Sequence, residues 1–266
     1  MGRSIDTFEP AIRAMRERLE RYPQFRGLPV EVAEFSVLTD GGGRRFMGCE
    51  STEWSASFMA AIADRAYRQN VAQIHQWGQT GPGLLPSPYL HTLSLLERMA
   101  GGERFPVAVS GPPNSAADVG AIACQKDGRL FVLLYNHRAL REPKLLERIE
   151  LRIRHPRFRD GEQWLLTETG LDEERGVCVR QFEADCQAAG LEPNPKTPAF
   201  GSNIAQRWGP KGNAIFEANR KRYEAMAQMP ILRERETIRS ADGEIALRLE
   251  TPTHSVRMLE FERPMQ

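Results

Sequence analysis

The apolar spacing changes once along this chain, near Phe105, and that change limits the folds open to it. Before it, apolar residues recur every three or four positions, the helical period; after it they mostly alternate, the period of a strand with one solvated face. Residues 6–22, 51–71 and 86–102 read as helices, the first with an apolar stripe of Phe8, Ile12, Met15 and Leu19 and with Asp6 as its N-cap. Two short apolar runs, 30–37 and 72–78, separate the helices as strands. Helix and strand alternating with short links is the order of parallel βα units.

Beyond Phe105 the segments 105–111, 120–125 and 129–136 read as strands, the last two joined by a turn at Lys126-Asp127-Gly128. Ile149, Leu151 and Ile153 alternate with charges over 146–154, and 162–169 is a further strand. Residues 177–190 and 213–229 read as helices, and 243–263 as two more strands after a turn at Asp242-Gly243. The fold class is therefore α/β plus β: a piece of parallel α/β followed by an antiparallel β-sandwich with a helical insertion at about 177–232. The division falls at 1–102 and 103–266.

Charge and composition exclude several functions. Lys and Arg total 36 against 35 Asp and Glu, so no overall field holds nucleic acid or an anionic membrane. No apolar run approaches a membrane span, and "MGRSIDTFEP" lacks the apolar core of a signal peptide, which gives a cytoplasmic expectation. Cys49, Cys124, Cys178 and Cys186 form no CxxC pair and read as buried apolar residues. The five histidines show no metal-ligand spacing, and neither a Walker A run nor GxGxxG nor GxSxG occurs, so no metal and no cofactor is expected.

Two glutamates compete for attention. Glu34 ends the run "GLPVEVAEFSV", where a carboxylate needs a partner or a solvent-facing position. Strict alternation puts it with Val30 and Val32 on one face, with Glu31 and Ala33 on the other. It is either a catalytic group at the C-terminal end of a parallel strand, where βα-barrels place such groups, or a partner for Arg44 or Arg45. Glu53, in "STEW", sits at the start of a helix, where the macrodipole favours an anion without any chemistry. On the second strand, Trp77 offers an aromatic face to a sugar and His75 and Gln76 offer hydrogen bonds; the alternative is a core indole and an interior histidine.

The runs "GLPVEVAEFSV", "IHQWG", "PSPYLHTLSLLERMAGG", "FPVAVSG", "GNAIFEANRKRYEAM" and "THSVRMLEFE" together resemble the last third of glycoside hydrolase family 39, the family of β-xylosidases and α-L-iduronidases. The resemblance implies that residues 1–102 supply the last two βα units of an incomplete (β/α) TIM-type barrel. It implies that Glu34 is the nucleophile of a retaining glycosidase, with Phe35, His75, Gln76 and Trp77 contacting the sugar. Ala33 and Phe35 stand where the family carries Thr and Trp. Its acid/base belongs to an Asn-Glu-Pro motif that these 266 residues lack. The expectation is thus a truncated β-xylosidase-like protein, weak or inactive alone, acting on a xyloside or related glycan; the alternative is a non-catalytic carbohydrate-binding or assembly module. Two strands cannot close a barrel, so a homo-oligomer joined through 1–102 is expected, covering Val30, Val32, Ile74 and Trp77.

Overall fold

The computed structural model describes residues 4–35, 51–76, 81–111, 118–140, 144–156, 158–194 and 206–264. Helix α1 (Ser4–Glu20) starts two residues before Asp6, which therefore sits in the first turn near the positive end of the helix and not at its cap. Ile5 and Ile12 are buried and Phe8 packs on the core, but Met15 is exposed, so the apolar stripe is shorter than its spacing suggested. Strands β1 (Glu31–Phe35) and β2 (Gln73–Gln76) pair in parallel around helix α2 (Glu53–Arg68), and α3 (Pro88–Met99) follows. Ser87 caps α3 by accepting from the Leu90 amide at 3.0 Å, with Pro88 at the first helical position.

Helix α2 is buried along nearly its whole length, with Ala56, Ala60 and Ala61 fully enclosed. A helix enclosed this completely belongs inside a layered core, where its polar members Ser55, Ser57 and Asp64 are hydrogen-bonded. It lies between α1, α3 and one face of a six-stranded sheet in the order β3-β4-β5-β10-β7-β8. These are β3 (Glu103–Phe105), β4 (Asp118–Lys126), β5 (Arg129–His137), β7 (Gln163–Leu171), β8 (Ile231–Arg239) and β10 (Ser255–Glu262). All five pairings are antiparallel. A two-stranded ribbon of β6 (Leu146–Arg154) and β9 (Glu244–Pro252) covers the opposite face.

The central sheet is buried on both sides. Phe131, Leu133, Tyr135, Val256 and Met258 join Trp54, Phe58 and Ile62 of α2 in one core. Leu130, Val132, Leu134, Leu259 and Phe261 meet Ile245, Leu247 and Leu249 of β9 in another. This explains why β5 reads as an uninterrupted apolar run while β6 alternates. Helices α4 (Val179–Ala188), α5 (Gly209–Ala218) and α6 (Arg220–Met226) close a third core around Phe182, Phe216 and Tyr223, together with Leu85 from the segment after β2. Both Asp-Gly turns run through positive φ: Asp127 and Gly128 at 50° and 78° in the β4–β5 hairpin, Asp242 and Gly243 at 52° and 74° where the chain passes from β8 to β9.

Several expectations are corrected. Residues 106–111 are not a strand: β3 ends at Phe105, Pro106 has no amide to donate, and Val107 and Val109 are exposed. The helix expected over 213–229 is two helices meeting at Asn219, whose side-chain amide donates to Ile215 O at 2.9 Å. Strand β8 was not expected at all; it is an exposed, charged edge whose Arg233 Nε pairs with Glu168 at 3.0 Å. Val30 is buried and Val32 and Ile74 are half-buried, so the exposed large apolar side chains of this part, among the described residues, are instead Met15, Tyr22, Phe25, Leu28, Tyr67 and Leu84.

Candidate active site

Strand β1 carries Glu34 one residue from its end, parallel to β2, with Glu31 opposite Gln73, Val32 opposite Ile74 and Phe35 opposite Gln76. From Val32 to Phe35 the first strand advances three residues while the second advances two, so β1 is bulged there. The bulge breaks strict alternation. Val30 is buried, Val32 and Phe35 are half-buried, and both Ala33 and Glu34 are exposed. Glu34 therefore does not share the face of Val30 and Val32. Arg44, Arg45 and Trp77 lie outside the described residues, as does the side chain of Gln76. His75 is exposed, its Nε2 3.8 Å from Glu31 Oε2. The structure thus brings Glu34 and His75 onto one two-stranded parallel sheet, while Phe35 turns inward.

Phe35 stacks on Phe58 of α2, ring centroids 5.7 Å apart and planes within 5°, and Phe58 stacks on Trp54 at 5.0 Å and 13°. Trp54 meets the rings of His137 and His254 at 5.2 and 6.5 Å, and its indole N–H donates to Arg138 O at 3.1 Å. Beneath the stack, Ser57 Oγ lies 2.9 Å from His137 Nδ1 and 3.3 Å from His254 Nδ1, with His254 Nε2 3.2 Å from Leu140 O. A carbonyl only accepts, so His254 carries a proton on Nε2 toward Leu140 O, while the Ser57 hydroxyl donates its single hydrogen to Trp54 O at 3.1 Å and is free to accept from His137 Nδ1–H. Burial, and then the neighbouring His254, hold His137 well below the usual imidazole range. Ser57, His137 and His254 are all buried, so this serine–histidine contact is an interior network rather than an exposed nucleophile.

Glu53 is enclosed as well. Its Oε1 accepts from Lys144 Nζ at 2.7 Å and from the Arg180 guanidinium, and both cations also reach Glu173. The helix dipole suggested by the sequence is only part of its environment. Nothing local marks Lys144, Arg180, His137 or His254; only the pairing of β5 with β10 and the docking of α4 bring them in. The described cysteines, Cys124, Cys178 and Cys186, are buried free thiols. No helix among the described residues is long and apolar enough to cross a membrane.

No family model matches the chain, and no curated protein matches its sequence. Solved structures do match its fold. A monomeric β-xylosidase from Caulobacter crescentus superimposes with a TM-score of 0.70 at 15% identity, over 98% of this chain and 51% of its own. A GH39 enzyme from Xanthomonas axonopodis pv. citri gives 0.64 at 13% identity, over 95% of this chain and 48% of its own. A bacterial orthologue of human α-L-iduronidase gives 0.66 at 13%, over 98% and 45%. The chain spans about half the length of each of these structures. The likeness to glycoside hydrolase family 39 carried by its sequence motifs is thus also a likeness of fold.

Proposed function

We propose that the chain is the C-terminal part of a glycosidase-like protein related in mechanism to retaining β-xylosidases, with Glu34 as nucleophile. The observation that carries this reading is an exposed carboxylate next to the C-terminal end of a parallel strand, in a fold shared with a β-xylosidase over 98% of the chain. Catalytic groups of (β/α) barrels occupy that end, because the loops there form the pocket. In this reading His75 and Gln76 of the neighbouring strand, and Trp77, which follows it in the sequence, are the residues that contact the sugar. Phe35, expected beside them, supports the nucleophile from within.

Retaining hydrolysis needs a second carboxyl group about 5–5.5 Å from the first, as acid and then base. The Asn-Glu-Pro motif that supplies it in the family does not occur in the 266 residues. General acid assistance contributes roughly 10²–10⁴-fold, so the chain alone turns over unactivated xylosides feebly or not at all. A carbohydrate-binding or assembly module is the second reading, favoured by the same missing motif. The exposed Met15, Tyr22, Phe25 and Leu28 support association with a second copy through the first hundred residues. Hydrolysis of an aryl β-xyloside by the purified chain, beside its Glu34→Gln variant, tests the reading: slow release abolished by the substitution supports it, and equal rates in both remove Glu34 from the chemistry.

A further inference from the structure

The geometry points to Phe35 as a positioning residue: through its stack on Phe58 and Trp54 it sets the place of the Glu34 carboxylate. This rests on the reading of Glu34 as nucleophile and deepens it.

The argument begins with the bulge. Two residues of β1, Ala33 and Glu34, occupy the stretch where β2 spends one, so both are thrown outward before Phe35 returns. A strand free to choose would remove such a bulge by slipping one residue, because regular pairing satisfies its ladder better. The slip restores strict alternation and carries Glu34 to the face of Val30 and Val32, the former of which is buried. Something must hold the irregular register, and β2 is only four residues long. Among the described residues, the end of β1 is held by the ring of Phe35, lying flat on Phe58 at 5.7 Å and 5°.

That hold is only as firm as what stands behind it. Phe58 and Trp54 are buried on α2 and stacked on each other. Behind them the rings of His137 and His254 face Trp54, 5.4 Å from each other, tied by Ser57 to the same helix. His254 sits in the turn between β9 and β10 at φ 62°, a conformation that costs a non-glycine residue energy and persists only where the surroundings fix it. A continuous row of rings therefore runs from the central sheet, through α2, to the residue that follows Glu34. A nucleophile displaced by about 1 Å can lose about a hundredfold in rate. The row keeps that displacement from occurring, while Phe35 itself need not touch substrate.

The test compares Phe35→Leu, which keeps apolar bulk but loses the flat ring, with Phe35→Tyr, which keeps the ring and can direct its hydroxyl to solvent. Two readouts are taken on each: amide exchange over residues 31–35, and the rate at which an activated 2-fluoro-xyloside labels Glu34, followed by intact mass and peptide mapping. The expected result is a rise in exchange and a fall in labelling of about tenfold or more in Phe35→Leu, with Phe35→Tyr within about twofold of the parent. Equal exchange and labelling in Leu and Tyr variants overturns the inference. A parent chain that takes no label overturns the nucleophile reading alone, and the exchange comparison then decides whether the stack holds this strand end.

Discussion

Glu53, in the first turn of α2, holds Lys144 Nζ at 2.7 Å across 91 residues of sequence, and the Arg180 guanidinium closes on the same oxygen. The carboxylate is fully enclosed, while Lys144 and Arg180 remain partly exposed and keep Glu173 as a second partner. Removing the buried member therefore costs less than breaking a wholly buried pair. Glu53→Gln should lower stability by about 2 kcal/mol, read by denaturant unfolding. A change under about 0.5 kcal/mol would show that the network is not what fixes α4 to the start of α2.

The Ser57 network predicts acid sensitivity. His137 is held neutral in the fold with a lowered pKa, and His91, half-buried with its Nε2 2.6 Å from Ala227 O, is shifted the same way by desolvation. The unfolded chain binds protons at about pH 6.5 that the folded chain refuses, so stability is full above that pH and falls as pH drops below it. Each such histidine contributes a slope of up to about 1.4 kcal/mol per pH unit. Melting temperatures measured between about pH 7.5 and 5 should fall, and should fall less steeply in His137→Gln. A flat profile in the parent chain contradicts the neutral assignment.

Gly120 in β4 leaves room for the Tyr135 ring: a Cβ there would stand 2.2 Å from the tyrosine oxygen and 2.4 Å from Cζ. Tyr135 needs that room to donate to the buried Asp64 at 2.8 Å, a carboxyl whose pKa is raised by burial. Gly120→Ala must displace the ring, and should cost about 1–3 kcal/mol in thermal or denaturant unfolding. Retained stability would mean that the sheet and α2 separate more readily than their packing implies.

Association is checked by light scattering coupled to size exclusion. A species larger than the 30.1 kDa chain that dissociates on dilution is expected. A 30.1 kDa species across a hundredfold dilution removes the oligomer and leaves Tyr22, Phe25 and Leu28 without a covering role.

Much of this architecture is legible in the sequence because it rests on local signals. The helices α2 and α3, the parallel order of β1 and β2, the Asp-Gly turns and the two textures of β5 and β6 all follow from spacing and turn chemistry. Strand β8 escaped because an edge strand keeps its charges, and "ILRERETIR" carries no apolar alternation for a period to reveal. The bulge in β1 escaped for a different reason: strict alternation is what a sequence shows, and only the partner strand reveals that Phe35 pairs where Ala33 and Glu34 have been squeezed out. His137 and His254 looked scattered because 117 positions separate them in the chain, a gap that the β5–β10 ladder closes by setting Asn136 opposite Ser255.

The central claim, that Glu34 attacks a sugar, is tested most directly by pre-steady-state release from dinitrophenyl β-xyloside. That leaving group departs without general acid help, so a missing acid cannot hide a working nucleophile, and slow hydrolysis of the adduct lets it accumulate. The account predicts a burst approaching one dinitrophenolate per chain, with xylose found on Glu34 by peptide mapping and no burst in Glu34→Gln. No burst in the parent, or a xylosyl adduct on any residue other than Glu34, would contradict it.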